Sequence, residues 1–409
     1  MIPKDRMFYK FSLYGFLKNL RLFDPFLILF FLNSGLSYTE IGILYATAEI
    51  STNVMEIPTG IYADIFGRRK AMLMGFAAYL IVFTIFYLSS NFYLFLLAMV
   101  LYGLGDAFRS GTHKAMILEY LKIKGIADRK VEYYGATRSA SQFGSAVNSL
   151  LAGLIVFYTG DYHLIFLVTI IPYLLDFANL ATYPKELDGE IVGKERKVRI
   201  QARETFRDFV SMFKNRHALK ALLNSSLFDS GFKATKDYLQ PVLKSFALSL
   251  PVLLYLTDHE RTAIVVAIVY FFLYLLSSYA SRKSHVVVRK VKNIALAINI
   301  TFILGSAFII LAGLSYAYSL FLISIAMFIS LHIVFNLRRP MNVSYVSDKI
   351  SSRIMASGLS VESQLKMIFS AGFAFMIGVL ADLLGVGISL FIVGMLIALV
   401  FPLVMLRED

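Results

Sequence analysis

Long apolar stretches separated by short polar segments repeat along almost the whole chain. The stretches are continuously apolar and do not alternate, which favours membrane-spanning helices over the strands of a barrel. A helix needs roughly 20 residues to cross a bilayer. The pattern therefore predicts an all-α membrane protein with about twelve spanning helices, near residues 13–34, 40–65, 71–89, 92–120, 131–158, 162–183, 217–247, 262–282, 293–314, 318–347, 350–384 and 386–406.

A charged segment at residues 184–216 divides these helices into two sets of six. It is rich in Lys, Arg and Glu, and it also carries Phe206, Phe209, Val210 and Phe213. This mixture is typical of an amphipathic segment that lies on a membrane surface. We therefore predict an N-terminal six-helix bundle (1–183), a cytoplasmic amphipathic linker (184–216) and a C-terminal six-helix bundle (217–409).

The end of the seventh apolar stretch, at residues 239–259, leaves two interpretations open. Gln240-Pro241 interrupts the stretch and Pro251 follows, while the sequence between them stays apolar. An interfacial helix on the outer face explains this pattern, and so does one continuous helix with a break.

Composition agrees with a membrane protein. The chain has 409 residues, of which 58% are hydrophobic and 16% charged, whereas a soluble domain is about 25% charged. No cleavable signal is expected, because the N-terminus runs directly into a span-length segment. The absence of cysteine excludes disulfides and thiol chemistry, and the absence of tryptophan leaves Tyr and Phe to form any aromatic belt.

The net charge of +13 follows membrane topology. Lys and Arg collect before the first span, in the turn at 60–70, in the linker and in alternate later turns. The intervening turns at 34–38, 89–91, 158–163 and 314–319 carry none, and Arg261 is the exception. The positive-inside rule then predicts a cell (inner) membrane protein with both termini in the cytoplasm. The charge does not indicate binding to nucleic acid.

Residues 60–70, Gly-Ile-Tyr-Ala-Asp-Ile-Phe-Gly-Arg-Arg-Lys, form a charged turn between two apolar stretches. A carboxylate beside a hydrophobic segment is costly unless a partner is present. The turn resembles the loop between helices 2 and 3 of the major facilitator superfamily (MFS), Gly-x-x-x-Asp-x-x-Gly-Arg-Arg/Lys, at every fixed position. The resemblance implies two parallel six-helix halves with a substrate site near the bilayer midplane. In its general look, a compact chain with one latch motif and no soluble domain, the protein resembles the efflux-permease branch.

In that family this loop acts as a cytoplasmic latch. By resemblance, Asp64 would pair with the N-terminal end of the eleventh helix and with Arg353, and so stabilise the outward-facing state. A carboxylate at a helix N-terminus is favourable by ~0.3–1 kcal/mol. The glycines would permit close helix approach and a tight turn. The predicted latch residues are Gly60, Asp64, Gly67, Arg68, Arg69 and Arg353.

Ionisable side chains inside the spans are candidate functional residues, because each costs several kcal/mol there. Most fall on helices one, four, seven and ten, which by resemblance line the substrate path. In the fourth, Asp106, Arg109 and His113 follow i, i+3, i+7 spacing, which predicts one stripe. Alternatively, such pairs neutralise each other and fix helix rotation. The predicted substrate-binding residues are Arg21, Asp24, Asp106, Arg109, His113, Lys233 and Arg338.

Proton coupling needs a carboxylate or histidine that changes protonation during the cycle. The candidates are Asp24, Asp106 and Glu56, with His113 as a relay. Glu56 precedes Pro58 and could instead belong to the gate.

The fifth span is dense in small residues, including Ser141, Gly144, Ser145 and Gly153. Such faces let helices pack closely in a bilayer. MFS antiporters often carry a Gly-Pro signature here, and the lack of proline in this span counts against proton antiport and export.

The leading functional hypothesis is a secondary active transporter that exports a small organic solute by alternating access with proton coupling. Uptake of an organic anion by proton symport is the nearest alternative, and a non-transporting membrane sensor on the same fold is a third. The chain has no His-rich metal motif, no Ser/His/Asp arrangement and no phosphate-binding loop. We therefore predict no enzyme activity, no cofactor and no metal site. The predicted partners are a small-molecule substrate, protons and the lipid bilayer, with the protein a monomer.

Overall fold

The fold is all-α in the computed structural model, which describes residues 4–189, 216–252, 254–291, 293–349 and 355–406. No strand occurs in these ranges. The helices are α1 (Arg6–Lys18), α2 (Leu27–Asn33), α3 (Tyr38–Phe66), α4 (Arg68–Leu88), α5 (Phe92–Arg109), α6 (Thr112–Ile123), α7 (Lys130–Thr159), α8 (Leu164–Ala181), α9 (Arg216–Thr235), α10 (Leu239–Ser249), α11 (Asp258–Val291), α12 (Ile294–Ala317), α13 (Phe321–Lys349), α14 (Met355–Leu384) and α15 (Val386–Val404).

Nine helical segments of the described chain are long and apolar enough to cross a membrane. They coincide with nine of the twelve predicted spans, and the other three spans are also helical. The first of these three is divided between α1 and α2, and the third between α9 and α10. The second, α3, carries four acidic residues within its 29 residues. Broken or charged helices of this kind are tolerated where they line a cavity or pack against protein.

The predicted first span, 13–34, is wrong in its start and in its continuity. Helix α1 begins at Arg6, and the chain leaves helical geometry at Asn19, whose side chain donates to the Gly15 carbonyl at 2.6 Å. A 3-10 turn at Asp24–Phe26 follows before α2 begins. Pro25 in this turn has no backbone N–H, so it cannot continue an α-helical ladder.

The predicted single stripe of charges in the fourth span is also wrong. Helix α5 ends at Arg109, and Gly111 adopts φ +72° before α6 begins at Thr112. A left-handed residue redirects the chain, which glycine does without a steric penalty. Asp106 and Arg109 therefore share a helix, whereas His113 belongs to the next one.

The structure favours a broken seventh helix over a separate interfacial helix. A 3-10 turn at Lys236–Tyr238 joins α9 to α10, and Thr235, Tyr238 and Leu239 all keep right-handed helical dihedral angles. Helix α10 ends before Pro251, where Leu250 is extended.

The described residues form two compact units. Unit 1 takes its members from residues 1–35, 47–194 and 252–274, and unit 2 takes its members from residues 36–46, 195–251 and 275–409. These units exchange the segments 36–46 and 252–274 relative to the predicted halves, and the division between them falls within the predicted linker, after residue 194.

Close helix packing within unit 1 agrees with the small residues of the fifth span. A Cβ atom added to Gly144 of α7 would lie 2.6 Å from the Phe16 carbonyl oxygen, next to α1 residues that leave no room for a side chain. An added Cβ at Gly15 of α1 would lie 2.6 Å from Ser141 Oγ. The predicted close approach of this helix to its neighbour is confirmed.

Candidate functional site

The centre of unit 1 holds an ion cluster that we call the Asp106 cluster: Asp106, Arg109, Arg21 and Tyr79. Asp106 Oδ1 accepts from Arg109 Nη2 at 2.7 Å and from Nε at 3.2 Å. The Tyr79 hydroxyl also donates to Asp106, and it accepts from Arg109 Nε at 3.1 Å. Arg21 Nη2 lies 3.8 Å from the same carboxylate oxygen. One carboxylate thus positions two guanidinium groups.

Arg21 is held by further contacts at the break between α1 and α2. Its Nε donates to the Tyr173 hydroxyl at 3.2 Å, and its guanidinium lies 5.8 Å from the Tyr102 ring centroid. The Asn148 side chain donates to the Arg21 carbonyl at 2.9 Å. Neighbouring helices therefore bind both the backbone carbonyl and the guanidinium group of Arg21. These contacts fix the orientation of this cation at the break.

The Asp106 cluster is not sealed from its surroundings. The side chains of Arg21, Asp106 and Arg109 keep 18%, 24% and 23% of their accessible surface. The named side chains of the cluster carry one excess positive charge, which Asp24 partly offsets through its electrostatic interaction with Arg21.

A cavity of about 150 Å³ opens beside this cluster in unit 1. Among the described residues, its charged lining side chains and its histidine are Lys18, Arg109, His113 and Lys114, and none of the described lining residues is a carboxylate. The other described lining residues are Phe11, Tyr14, Gly15, Gly111, Ile117, Thr137 and Ser141. A concave site with a few convergent polar groups on an otherwise largely neutral wall is typical of small-ligand binding.

His113 lies in the cavity wall and packs among aromatic rings. Its imidazole stacks on Tyr14 with ring centroids 3.6 Å apart and meets Phe11 edge to face. His113 Nε2 lies 3.4 Å from the Tyr183 hydroxyl. Because of the break at Gly111, it adjoins Arg109 around the cavity instead of along one helix.

Two ionisable residues that the sequence analysis did not select lie next to this site. Lys18 lines the cavity and lies 5.9 Å over the Tyr14 ring. Asp176 of α8 is completely buried, accepts from Asn179 Nδ2 at 3.2 Å, and interacts electrostatically with Lys18. No described residue donates a hydrogen bond to Asp176 Oδ2. Both residues lie in predicted membrane spans, and that position is the sequence signal that could have identified them.

The predicted latch segment contacts the stretch that follows α8, which ends in a 3-10 turn at Lys185–Asp188, in a way the sequence did not indicate. Asp188 Oδ1 accepts from the backbone N–H of Arg69 at 2.7 Å, at the N-terminus of α4. Arg69 Nη1 donates to the Tyr183 carbonyl at 3.1 Å, and Arg68 lies 3.7 Å from Glu119. The predicted boundary placed Asp188 in the linker, so it was not considered as a partner.

The two glycines of the segment differ. Gly67 adopts φ +96°, and a Cβ atom there would lie 2.8 Å from the Asp188 carboxyl group. Gly60 lies within α3, and a Cβ atom there would meet nothing within 4 Å. Asp64 is exposed. Arg353 lies outside the described residues, so its pairing with Asp64 stays a prediction.

The remaining predicted residues of unit 1 lie apart from the cavity lining. Asp24 opens the 3-10 turn after α1 and interacts electrostatically with Arg21. Glu56 lies in α3, and its carbonyl accepts from Thr59 Oγ1 at 3.2 Å.

In unit 2, Arg338 is 1% exposed and bound by neutral oxygens. It donates to Asn224 and to Thr301 Oγ1, and its guanidinium lies 4.5 Å from the Phe228 ring centroid. Lys233 is exposed on α9. The substrate-binding role of both residues stays a prediction. No group of three or more metal-ligating side chains occurs among the residues searched, which are those the structure describes.

Comparison with known proteins places this arrangement in context. The sequence model of the Major Facilitator Superfamily matches residues 16–361. The chain is 24% identical over 179 residues to the uncharacterized MFS-type transporter YxaM of Bacillus subtilis (strain 168). That alignment spans 44% of this chain and 43% of YxaM, less than half of the relative's length.

Solved structures share the fold over nearly the full chain. The nucleoside transporter NupG matches with a TM-score of 0.76 at 14% identity, covering 99% of this chain and 100% of that chain. The D-xylose-proton symporter matches with a TM-score of 0.75 at 14% identity, covering 98% of both chains. At these identities the similarity establishes the fold alone.

Proposed function

The chain belongs to the major facilitator superfamily, and on that premise we propose that it takes up a small organic anion together with protons. It is a transporter of a solute and not an enzyme. The observation that carries the proposal is the cavity of unit 1, whose described lining includes Lys18, Arg109, His113 and Lys114 and no carboxylate.

The chemistry of this wall suits a carboxylate or phosphoryl group. An arginine guanidinium binds such groups through two parallel hydrogen bonds, and a lysine ammonium supplies a point charge. Asp106 holds Arg109 at 2.7 Å, so the guanidinium is oriented before a ligand arrives. One water molecule takes up about 30 Å³ in the liquid. A cavity of about 150 Å³ is therefore large enough for the charged end of a small molecule.

The charge of the solute makes proton symport the favoured mode. Moving one negative charge into a cell against an inside-negative potential costs ~2.3 kcal/mol per 100 mV. A co-transported proton cancels that charge. Export of an anion runs with the potential and needs no proton, so efflux, the leading hypothesis from the sequence, is the second candidate. The missing proline in the fifth span also counts against antiport.

The remaining assignments belong to the same proposal. Asp24, Asp106, Glu56 and His113 stay candidates for proton coupling, and the 60–70 turn for a cytoplasmic latch. The distribution of Lys and Arg supports cytoplasmic termini in a cell (inner) membrane. We also propose a monomer with two six-helix domains joined by residues 184–216.

The test starts from a thermal-shift screen of the purified protein against small carboxylates, phosphomonoesters and their uncharged analogues. The hits are then assayed in proteoliposomes under an imposed pH gradient. We expect stabilisation by anions, accumulation when the lumen is alkaline, and loss of binding by at least tenfold in Arg109→Gln. Lys122→Gln is the matched control, because Lys122 is exposed and lies outside the cavity.

Stabilisation by uncharged analogues alone, or equal effects of the two substitutions, would contradict an anion site. Accumulation with an acidic lumen would replace uptake by export in exchange for protons.

A further inference from the structure

The sequence Gly-x-x-Ala-Asp-x-x-Gly occurs at residues 60–67 and again at residues 378–385. Each copy lies at the C-terminal end of a long helix, the first on α3 and the second on α14. The last glycine of each copy takes a positive φ, +96° at Gly67 and +83° at Gly385, and the next helix begins directly after it. The first copy is the predicted cytoplasmic latch, and no role has been assigned to the second.

The aspartate of the second copy binds the start of α3. Asp382 Oδ1 accepts from the backbone N–H of Tyr38 at 2.9 Å, and Oδ2 accepts from that of Thr39 at 2.7 Å. The Ser37 and Thr39 hydroxyls also interact with this carboxylate. The first N–H groups of a helix have no partner within it, and the helix dipole favours a negative charge there. Both oxygens of Asp382 are thus bound by the first turn of α3.

The backbones of α3 and α14 are in close contact beside these bonds. A Cβ atom added to Gly378 would collide with the Tyr38 carbonyl oxygen, and one added to Gly42 would lie 2.6 Å from the Ala374 carbonyl oxygen. Small residues at such positions let helix backbones approach each other in a bilayer. These four residues belong to unit 2, whereas α3 from residue 47 onward belongs to unit 1.

The Tyr38 side chain adds an aromatic contact to the same interface. Its ring stacks on that of Tyr238, with the centroids 6.1 Å apart and the planes inclined by 25°. Tyr238 lies in the 3-10 turn between α9 and α10 and is 4% exposed. The first turn of α3 therefore contacts both the end of α14 and the break in the seventh helix.

The start of α3 also has a cap of its own. Ser37 Oγ accepts from the Glu40 backbone N–H at 3.2 Å, and the Glu40 carboxylate accepts from the Ser37 backbone N–H at 2.8 Å. This reciprocal pair is a capping box. It lies within α3, so it stays formed when the bonds to Asp382 break, and Asp382 is exposed, so water replaces its partners. The two helices therefore separate here without unwinding α3.

We propose that Asp382 is a positioning residue for transport, a latch that holds α3 against α14 on the outer side of the membrane. The inference rests on the proposed function and on its topology, in which the turn at 34–38 lies outside. A helix that begins in one unit and continues in the other must change partners at one end when the units move. The two bonds of Asp382 are polar contacts that this change breaks. The first copy of the motif, with Asp64, would hold the inner side in the other half of the cycle.

Labelling of a single cysteine tests the latch, because the chain itself has no cysteine. Ala374→Cys places a thiol one helical turn before Gly378 and two turns before Asp382, on the same face of α14, where residue 374 is 7% exposed. This variant, in right-side-out membrane vesicles, is treated with a membrane-impermeant maleimide in the absence of solute and pH gradient. The labelling rate then follows the population in which α3 has separated from α14.

We expect Asp382→Ala in this background to raise the labelling rate roughly two- to tenfold, the range for loss of a charged helix cap. Asp382→Asn keeps one acceptor oxygen for two N–H groups and should give an intermediate rate. Glu260→Ala is the matched control. The Glu260 carboxylate also lies at a helix start on the predicted outer side and accepts from the Thr257 backbone N–H at 2.6 Å, but it caps its own helix, α11. Its loss should leave labelling at residue 374 unchanged.

A thiol on the opposite side distinguishes a latch from a general loss of structure. Gly60→Cys lies in the first copy of the motif, where an added Cβ atom meets nothing within 4 Å. We expect Asp382→Ala to lower labelling at residue 60 in inside-out vesicles while it raises labelling at residue 374.

Three results would overturn the proposal: increased labelling at both positions, equal increases in Asp382→Ala and Glu260→Ala, or unchanged labelling at residue 374. No solute or pH gradient is present in these measurements. Their outcome is therefore read separately from the test of anion uptake, and absence of uptake would leave it unchanged.

Discussion

Replacement of Asp106 by Asn tests whether one carboxylate holds the two arginines of the Asp106 cluster. Asn has nearly the shape of Asp and still offers an acceptor to Tyr79. What it removes is the charge that faces Arg109 Nη2 at 2.7 Å and Arg21 Nη2 at 3.8 Å. Two partly buried guanidinium groups are then left beside each other without a counter-charge.

The expected loss of unfolding free energy follows from this geometry. Removing one partner of a fully buried ion pair costs about 3–5 kcal/mol. The Asp106 carboxylate keeps 24% of its surface exposed, and water relieves part of the penalty, so we expect about 2–3 kcal/mol for Asp106→Asn. Arg109→Gln should cost less, because Asp106 keeps Arg21 and Tyr79 as partners.

A double-mutant cycle isolates the interaction. If Asp106 and Arg109 act on each other, the double variant should lose less than the sum of the single losses, by about 1–3 kcal/mol. Unfolding is followed in mixed micelles of increasing dodecyl sulfate content. The helical circular dichroism signal is suitable because the chain has no tryptophan and its 24 tyrosines report from many sites.

The control cycle combines Asp106→Asn with Lys122→Gln, whose ammonium lies 3.9 Å from Glu119 and is largely exposed. Those two changes should add to within about 0.5 kcal/mol. Equal additivity in both cycles, or an Asp106→Asn variant as stable as the unaltered protein, would refute the account of this cluster.

Two further predictions concern the turn at 60–70 and the start of α1. Gly67→Ala should destabilise the protein by about 1–2 kcal/mol, because a left-handed residue acquires a Cβ and that atom would lie 2.8 Å from Asp188. Gly60→Ala, the control within a helix and in open space, should be neutral or stabilising by up to ~1 kcal/mol, and the reverse order of thermal stability would contradict this. Burial by itself raises the pKa of Asp5, but hydrogen bonds from the Tyr120 hydroxyl and a backbone N–H outweigh it, so the pKa lies below its usual 3.8. The stabilisation from Asp5 is then present above that value and is lost as the pH falls through the lower folded pKa. Asp5→Asn should therefore lower the thermal midpoint at neutral pH and change it progressively less under acid, whereas a pH-independent loss would disprove the linkage.

The sequence was sufficient to predict the helical fold because apolar length is a property of each segment alone. Breaks were harder. Pro241 was recognised as an interruption, but Gly111 was not, since a single glycine in an apolar run is compatible with a continuous helix. The consequence was the wrong assignment of His113 to the stripe of Asp106 and Arg109.

Partners on other helices could not be predicted at all. The i, i+3 pair Asp106–Arg109 follows from helical spacing, whereas its ties to Tyr79 and Arg21 depend on the rotation and height of separate helices. Tyrosine was expected at membrane interfaces. Its role as a hydroxyl donor inside unit 1 was therefore not predicted. Asp188 was missed because its partner is a backbone N–H group, which carries no sequence signal.

The glycine contacts between α1 and α7 restrict how the cavity of unit 1 can vary. Gly15 and Ser141 both line it, and they belong to the two helices whose backbones nearly touch. These helices cannot approach further to fit a smaller ligand, and separating them to fit a larger one would break this packing. The side chains at positions such as Thr137 and Ile117 therefore determine the size of ligand that the cavity accepts. Relatives that transport other solutes should differ at these positions and keep the close contact between α1 and α7.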